Sequence, residues 1–340
     1  MDNKVLVIAE AGVNHNGSIA IAKQLIDVAA DAKADYVKFQ TFIAEKVVSS
    51  TAEKAQYQKK NTGMKDETQL EMIKKLELSY SDFIVLEKYA RGKGIKFLST
   101  AFDMESIDFL KKLNLGLWKI PSGEITNYPY IKKVGSYKEK MIISTGMSNM
   151  SEIKATIDVL LAEGVNKSDI VLLQCNTAYP TPVEDVNLRA MLKIGSKFKV
   201  DIGYSDHTLH NELSFAAVAL GARVIEKHFT LDRKMEGPDH MASLEPKELK
   251  ELVSGIRNIE KALGDGVKKP SASESINIAV ARRSIHLALD IKAGERITED
   301  HLETKRPGTG ISPMLWNKVI GKSVKWNLNK GIMLTTEDII

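Results

Sequence analysis

The chain is poor in features that mark several large protein classes. It has one cysteine, Cys175, among 340 residues, so no internal disulfide can form, which suits a reducing compartment. No apolar run approaches the roughly 18 residues of a membrane span. The first residues, MDNKVLVIAEAG, hold only a short apolar run between charges. They lack the apolar segment of a secretory leader and read as a first strand, so a cytoplasmic protein is expected. Lys and Arg number 48 against 44 Asp and Glu, a net charge of +4. With no dense basic stripe, nucleic acid is excluded as a main partner, whereas a small anion needs only a few local cations.

What is present is a regular alternation. Short β-branched runs recur at 5–10, 36–40, 96–100, 117–122, 141–146, 170–176, 199–205 and 223–229. Between them lie stretches of helical apolar period, such as SIAIAKQLIDVAADA. Strand alternating with helix implies parallel strands joined by crossover helices. Eight such units predict an α/β fold of the (β/α)8 TIM-barrel type. A doubly wound sheet fits less well, because the first turn, EAGVNHNG, lacks the glycine pattern of a dinucleotide site. The second and third runs are unusually far apart, and the excess reads as a rim or lid on the active-site face. The pattern predicts a barrel over 1–264, a polar linker over 265–282 and a small β-rich domain over 283–340. That last piece is short for an independent core and is expected to lean on something else.

In a barrel the reactive groups stand at the carboxyl ends of the strands. Lys38 and Lys119 lie inside otherwise apolar strands, and a buried lysine needs a counter-charge. Three readings stay open: structural ion pairs to Glu10 or Glu124, an anion clamp helped by Thr100 and Ser122, or a Schiff-base amine. His207 and His228 end neighbouring strands, close enough to share one metal ion and leave positions open to water or substrate. His15 is a weaker third candidate, since NHNGS also reads as a turn capping the first helix. His210, His240, His286 and His301 read as surface residues. Two prolines in CNTAYPTP hold Tyr179 at the rim, and MEGPDH presents Asp239.

Taken together, IAEAGVNHNG, VKFQ, FLSTAFD, KIPSGEITN, STGM, YPTP, GYSDHT, EKHFT, GPDH and KRPGTGI resemble the sialic acid (nonulosonic acid) synthase family. The match runs from residue 5 to the C-terminus and includes an antifreeze-like (SAF) domain. The resemblance implies condensation of phosphoenolpyruvate with an N-acetylmannosamine-type sugar, releasing phosphate, with a divalent metal, usually Mn²⁺. It assigns phosphoenolpyruvate contacts to Lys38, Thr100, Lys119, Ser122 and Ser205, with Thr177 in the position of a family asparagine. It assigns the metal to His207 and His228, a carboxylate beside it to Glu10, and sugar contacts to Gln40, Glu124, Tyr179 and Asp239. It also implies a domain-swapped homodimer in which Arg306 enters the partner's site. The region AQYQKKNTGMKDET lacks the Pro-Gly-Asn of the sialic acid synthases proper. That points to the legionaminic acid branch, whose sugar is 2,4-diacetamido-2,4,6-trideoxymannose; N-acetylneuraminate synthase is the alternative. More distant rivals are a class I aldolase using Lys119 or Lys227, and a carbohydrate-binding protein.

Overall fold

The computed structural model describes residues 4–56, 58–59 and 67–340. Eight parallel strands form a nearly closed barrel: β1 (Leu6–Gly12), β2 (Tyr36–Thr41), β3 (Lys96–Ala101), β4 (Trp118–Ile120), β5 (Met141–Ser144), β6 (Ile170–Cys175), β7 (Asp201–Asp206) and β8 (Val224–His228). The hydrogen-bonded order is β3-β2-β1-β8-β7-β6-β5-β4. Every neighbouring pair shares a ladder except β3 and β4, so one seam of the wall is not laddered.

Two-residue alternation explains the core. One face of each strand packs against the surrounding helices, as Val7, Ala9, Val37, Phe39 and Ile143 do. The other face points into the barrel, where Ile8, Leu98, Ile142, Leu173 and Val224 form a separate apolar layer. Two residues further along the same strands the inward positions become Glu10, Thr100, Ser144, Cys175 and Glu226. The barrel floor is therefore apolar and its carboxyl-end mouth polar. Gly203 fits this packing for a steric reason: a Cβ there would lie 2.4 Å from the Val224 carbonyl oxygen and 2.5 Å from Leu173 Cδ2.

Among the described residues, the long connection after β2 includes the short helices Ala44–Val47 and Gln69–Lys74 before the crossover helix Tyr80–Gly92. Much of the segment AQYQKKNTGMKDET, at positions 57 and 60–66, lies outside the described residues. No described helix is long and apolar enough to cross a membrane.

The chain divides into two compact units, up to Gly264 and from Asp265. The second holds β9 (Ser284–Leu287) antiparallel to β10 (Leu302–Lys305). It has its own apolar cluster, including Ile285, Leu287, Ile297, Val324 and Leu334. The stretch read as a linker is partly helical: Ala272–Ala281 forms a helix capped by Ser271, whose hydroxyl accepts from the Glu274 N–H, with Glu274 returning the bond. That capping box went unread in the sequence.

Two histidines read as surface residues are buried: His240 is 0% exposed and His286 6%. His240 joins the first loop to the loop after β8. Its ring nitrogens meet Thr230 Oγ1 at 2.7 Å and Asn16 Oδ1 at 3.1 Å. Asn14 donates to the Phe229 carbonyl at 2.8 Å and to Ser243 Oγ at 2.9 Å. His15 is enclosed in the same turn, where its Nδ1 accepts from the Gly17 N–H at 3.1 Å, while Ser18 caps the first helix. Burial holds both imidazoles near 4, below the ordinary 6.5.

Folding thus favours the neutral rings. Their contribution to stability is complete above pH 6.5 and is lost as pH falls toward 4. The melting temperature should drop between pH 7.5 and pH 5, and drop less in His240→Gln, whose amide does not titrate. Carboxylate contributions common to both proteins cancel in that comparison. Equal drops would assign the acid sensitivity elsewhere.

Candidate active site

The polar mouth of the barrel opens into a cavity of about 610 Å³. At its floor four buried charges from four strands interlock. Lys38 Nζ lies 2.7 Å from Glu10 Oε2 and 3.6 Å from Glu226 Oε2, and Lys119 Nζ lies 3.4 Å from Glu226 Oε1. Hydroxyls complete the set. Lys38 donates to Thr100 Oγ1 at 3.2 Å, Lys119 to Ser144 Oγ at 2.8 Å, and Ser205 to Glu226 Oε1 at 3.0 Å.

Burial and charge act unequally on this group. Burial raises the Glu10 carboxyl to about 7, only partly opposed by Lys38. Burial also works to raise Glu226, but the two ammoniums reverse it and hold that carboxyl at about 2. Burial acts to depress Lys38, and Glu10 with Glu226 carries it upward instead; Lys119, with burial dominant, is lowered. Lysines in such an arrangement are matched and still face the cavity.

His207 and His228 stand two residues beyond the paired Ser205 and Glu226, with ring centroids 5.4 Å apart. His207 Nδ1 donates to the Asn176 carbonyl at 2.5 Å, which leaves the lone pair on Nε2, 3.4 Å from Ser205 Oγ. His228 is kept neutral by burial, with His207 and Lys38 adding to the effect, and its buried Nδ1 has no hydrogen-bond partner. A Cβ on Gly12 would sit 3.3 Å from both Glu10 Oε1 and His228 Cε1, so glycine at φ +53° keeps this approach open. Burial acts to lower His207, but Cys175 and the Asn176 carbonyl carry it upward. Two imidazoles at one mouth, one of them neutral with an orphaned buried nitrogen, fit a divalent metal with open coordination positions. Among the described residues no cluster of three or more His, Cys, Asp or Glu adds a further ligand.

The remaining candidates divide by position. Gln40, Ser122, Thr177, Tyr179 and Asp239 all border the same cavity. Tyr179 packs on the His207 ring at 4.1 Å and meets the edge of His228 at 5.6 Å. Ser122 Oγ accepts from the Gly146 N–H at 3.0 Å. Burial raises Asp239 to about 6. Glu124 is not among the residues lining the cavity; it is half-buried and accepts from Asn127 at 2.6 Å. Arg306 belongs to the second unit, on an exposed loop. His15 does not border the cavity, and neither does Lys227, whose ammonium lies 2.8 Å from Asp206. Of the two lysines weighed for a Schiff base, only Lys119 reaches the site.

Three residues of the site have no role in the sequence reading, although Ser144 and Glu226 stand at strand ends. Glu226 holds both lysines, Ser144 accepts from Lys119, and Cys175 has Sγ 3.8 Å from His207 Nδ1. The signal for Glu226 was available: it stands two residues before His228 and so shares its face.

Comparison with known proteins identifies the family. Residues 25–268 match the NeuB family model and residues 282–340 the SAF domain model. A protein of Campylobacter jejuni named N,N'-diacetyllegionaminic acid synthase is 54% identical over 94% of this chain and 95% of its own length. One of that name from Legionella pneumophila is 48% identical over 98% and 94% respectively. The crystal structure of an N-acetylneuraminic acid synthetase from Leptospira borgpetersenii, 36% identical, superimposes with a TM-score of 0.71 over 81% of this chain and 90% of the other. A barrel with paired lysines and histidines at its mouth, followed by a SAF domain, is thus identified: the chain belongs to the NeuB family.

Proposed function

We propose that the protein condenses phosphoenolpyruvate with 2,4-diacetamido-2,4,6-trideoxymannose to give N,N'-diacetyllegionaminate and phosphate. The observation that carries this reading is the placement of Lys38 and Lys119, bridged by Glu226, in one cavity with His207 and His228. The two relatives of highest stated identity carry the product's name.

His207 and His228 would hold a divalent metal, for which Mn²⁺ is our choice; when bound it supplies Lewis-acid polarisation of the sugar's aldehyde oxygen. Lys38 and Lys119, with Thr100, Ser122, Thr177 and Ser205 around them, bind the phosphate and carboxylate of phosphoenolpyruvate. They orient its C3 toward the aldehyde carbon, and orientation removes much of the entropic barrier. The new C–C bond leaves positive charge at C2, which water attacks. Glu10, ion-paired to Lys38, is the group we assign to that water's proton. Collapse of the C2 adduct breaks the C–O bond and releases phosphate with the bridging oxygen. Gln40, Glu124, Tyr179 and Asp239 are assigned to the sugar.

We assign Arg306 to the partner's site in a two-fold dimer that exchanges small domains. Its loop is held firmly: Ser284 donates to the Pro307 carbonyl at 2.7 Å and accepts from the Gly310 N–H at 2.8 Å, and Gly308 N–H donates to the Ala279 carbonyl at 2.7 Å. The helix Ala272–Ala281 buries none of its residues, and Ile276 is 76% exposed, as a surface awaiting a partner would be. An arginine fork suits sugar hydroxyls or a carboxylate. The lone cysteine supports a cytoplasmic location.

Lys38→Met and Lys119→Met should raise KM for phosphoenolpyruvate roughly 10- to 100-fold, the worth of a hydrogen bond to a charged group, and change sugar KM less. Bridging ¹⁸O should leave in phosphate. Label kept in the keto acid, or borohydride trapping of substrate on Lys119, would establish the aldolase instead.

The diacetamido sugar should be used with at least about tenfold higher kcat/KM than N-acetylmannosamine, because a site built for one set of polar substituents leaves groups unpaired with the other. Preference for N-acetylmannosamine would make the protein an N-acetylneuraminate synthase.

Refolding Arg306→Ala together with His207→Ala should restore about a quarter of wild-type activity, since half the dimers are mixed and one of their two sites is intact. No recovery in demonstrated mixed dimers would remove Arg306 from the partner's site.

A further inference from the structure

Two fully buried charges lie outside the cavity, behind the wall that carries the histidines. Asp206 and Lys227 face each other in the β7–β8 register and are 0% and 1% exposed. Strand alternation sets their side. Ser205 and Glu226 point into the barrel, so the next residues point toward the helices, and His207 and His228 return to the interior. Each motif thus reads inward, outward, inward.

The outward pair grips the chain around His207. Lys227 Nζ lies 2.8 Å from Asp206 Oδ2 and donates to the carbonyls of Thr208 at 2.8 Å and His210 at 3.0 Å. All three ammonium protons are used. Asp206 Oδ1 accepts from the Thr208 N–H at 2.9 Å and the Thr208 hydroxyl at 2.7 Å, and Oδ2 accepts from Ser214 at 2.6 Å in the helix Glu212–Ala219. The residues on both sides of His207 are therefore fixed to one ion pair, and Lys227 itself adjoins His228. A buried ion pair is a poor means of adding stability, since apolar residues of similar size often do as well. What it adds here is direction, because its bonds terminate on the backbone of the turn that carries a histidine.

We propose that Asp206 and Lys227 are positioning residues: from behind the barrel wall they hold His207 and His228 at the spacing a divalent cation requires. The proposal rests on His207 and His228 being the metal ligands. Groups behind a ligand shell tune metal affinity by holding ligand geometry, and their loss commonly weakens binding by about 10- to 100-fold.

The test is a titration of full-length protein with Mn²⁺, following free Mn²⁺ by electron paramagnetic resonance, beside thermal melts and metal-free phosphoenolpyruvate binding. Asp206→Asn and Lys227→Met should each weaken Mn²⁺ by about 10- to 100-fold and leave phosphoenolpyruvate affinity within about twofold. In the double variant, which leaves no lone buried charge, the melting temperature should recover while Mn²⁺ affinity stays low. A purely structural pair would give the reverse, wild-type Mn²⁺ affinity once folding is restored, and that result overturns the proposal. Where the single variants fail to fold, the double variant alone decides on the same criterion. His207→Ala separates the two levels. If it binds Mn²⁺ as tightly as wild type, the ligand assignment falls and the positioning role with it. If it loses binding while the Asp206 and Lys227 variants do not, only the positioning role falls.

Discussion

Four charged side chains inside a barrel are tolerable only as a matched set. Lys38, Lys119, Glu10 and Glu226 come from four strands, and each is at most 5% exposed. Their mutual distances of 2.7 to 3.6 Å fix where β1, β2, β4 and β8 must stand at the mouth. The hydroxyls of Thr100, Ser144 and Ser205 fill the remaining hydrogen-bonding capacity. The histidine pair is built directly above this floor, and the cavity is the space over it. An anionic substrate bound there, as proposed, would compete with Glu10 and Glu226 for the same ammoniums, so that binding and rearrangement of the floor would be one event.

The architecture was legible because it depends on period. Eight apolar runs separated by helical patterns specify a parallel barrel, and all eight are strands of it. Alternation along a strand also tells which residues share a face, so Lys38 with Gln40 and Ser205 with His207 could be placed correctly from sequence. What period cannot supply is the stagger between strands. Glu226 reaches Lys38 and Lys119 only because of how β8, β2 and β4 are offset around the barrel, and nothing local to EKH records that offset. The same limit explains Lys227. Its alternation with Glu226 and His228 puts it on the outer face, but its partner Asp206 is found only once the β7–β8 register is known.

The misplaced histidines have a different cause. His240 lies in a turn rich in Gly, Pro and Asp, a composition that usually means solvent. It is buried because a second loop, NHN, folds over it, Asn16 meeting one ring nitrogen while Thr230 meets the other. Burial of a loop residue depends on another loop, and loop–loop packing leaves no periodic trace. The helix Ala272–Ala281 was hidden by its surroundings, since the polar residues that looked like a linker are its capping box.

The unladdered seam between β3 and β4 runs between the two halves of the proposed anion clamp. Lys38 and Thr100 stand on one side of it, on β2 and β3, and Lys119 stands on the other, on β4. Backbone hydrogen bonds therefore do not set the width of the clamp across its shortest path. In the free protein that width is set from across the barrel by the Glu226 carboxylate, which touches both ammoniums. A ligand carrying two anionic groups would span the gap directly, as a rivet joins two plates, and the barrel's own continuity at that point would then come from its substrate.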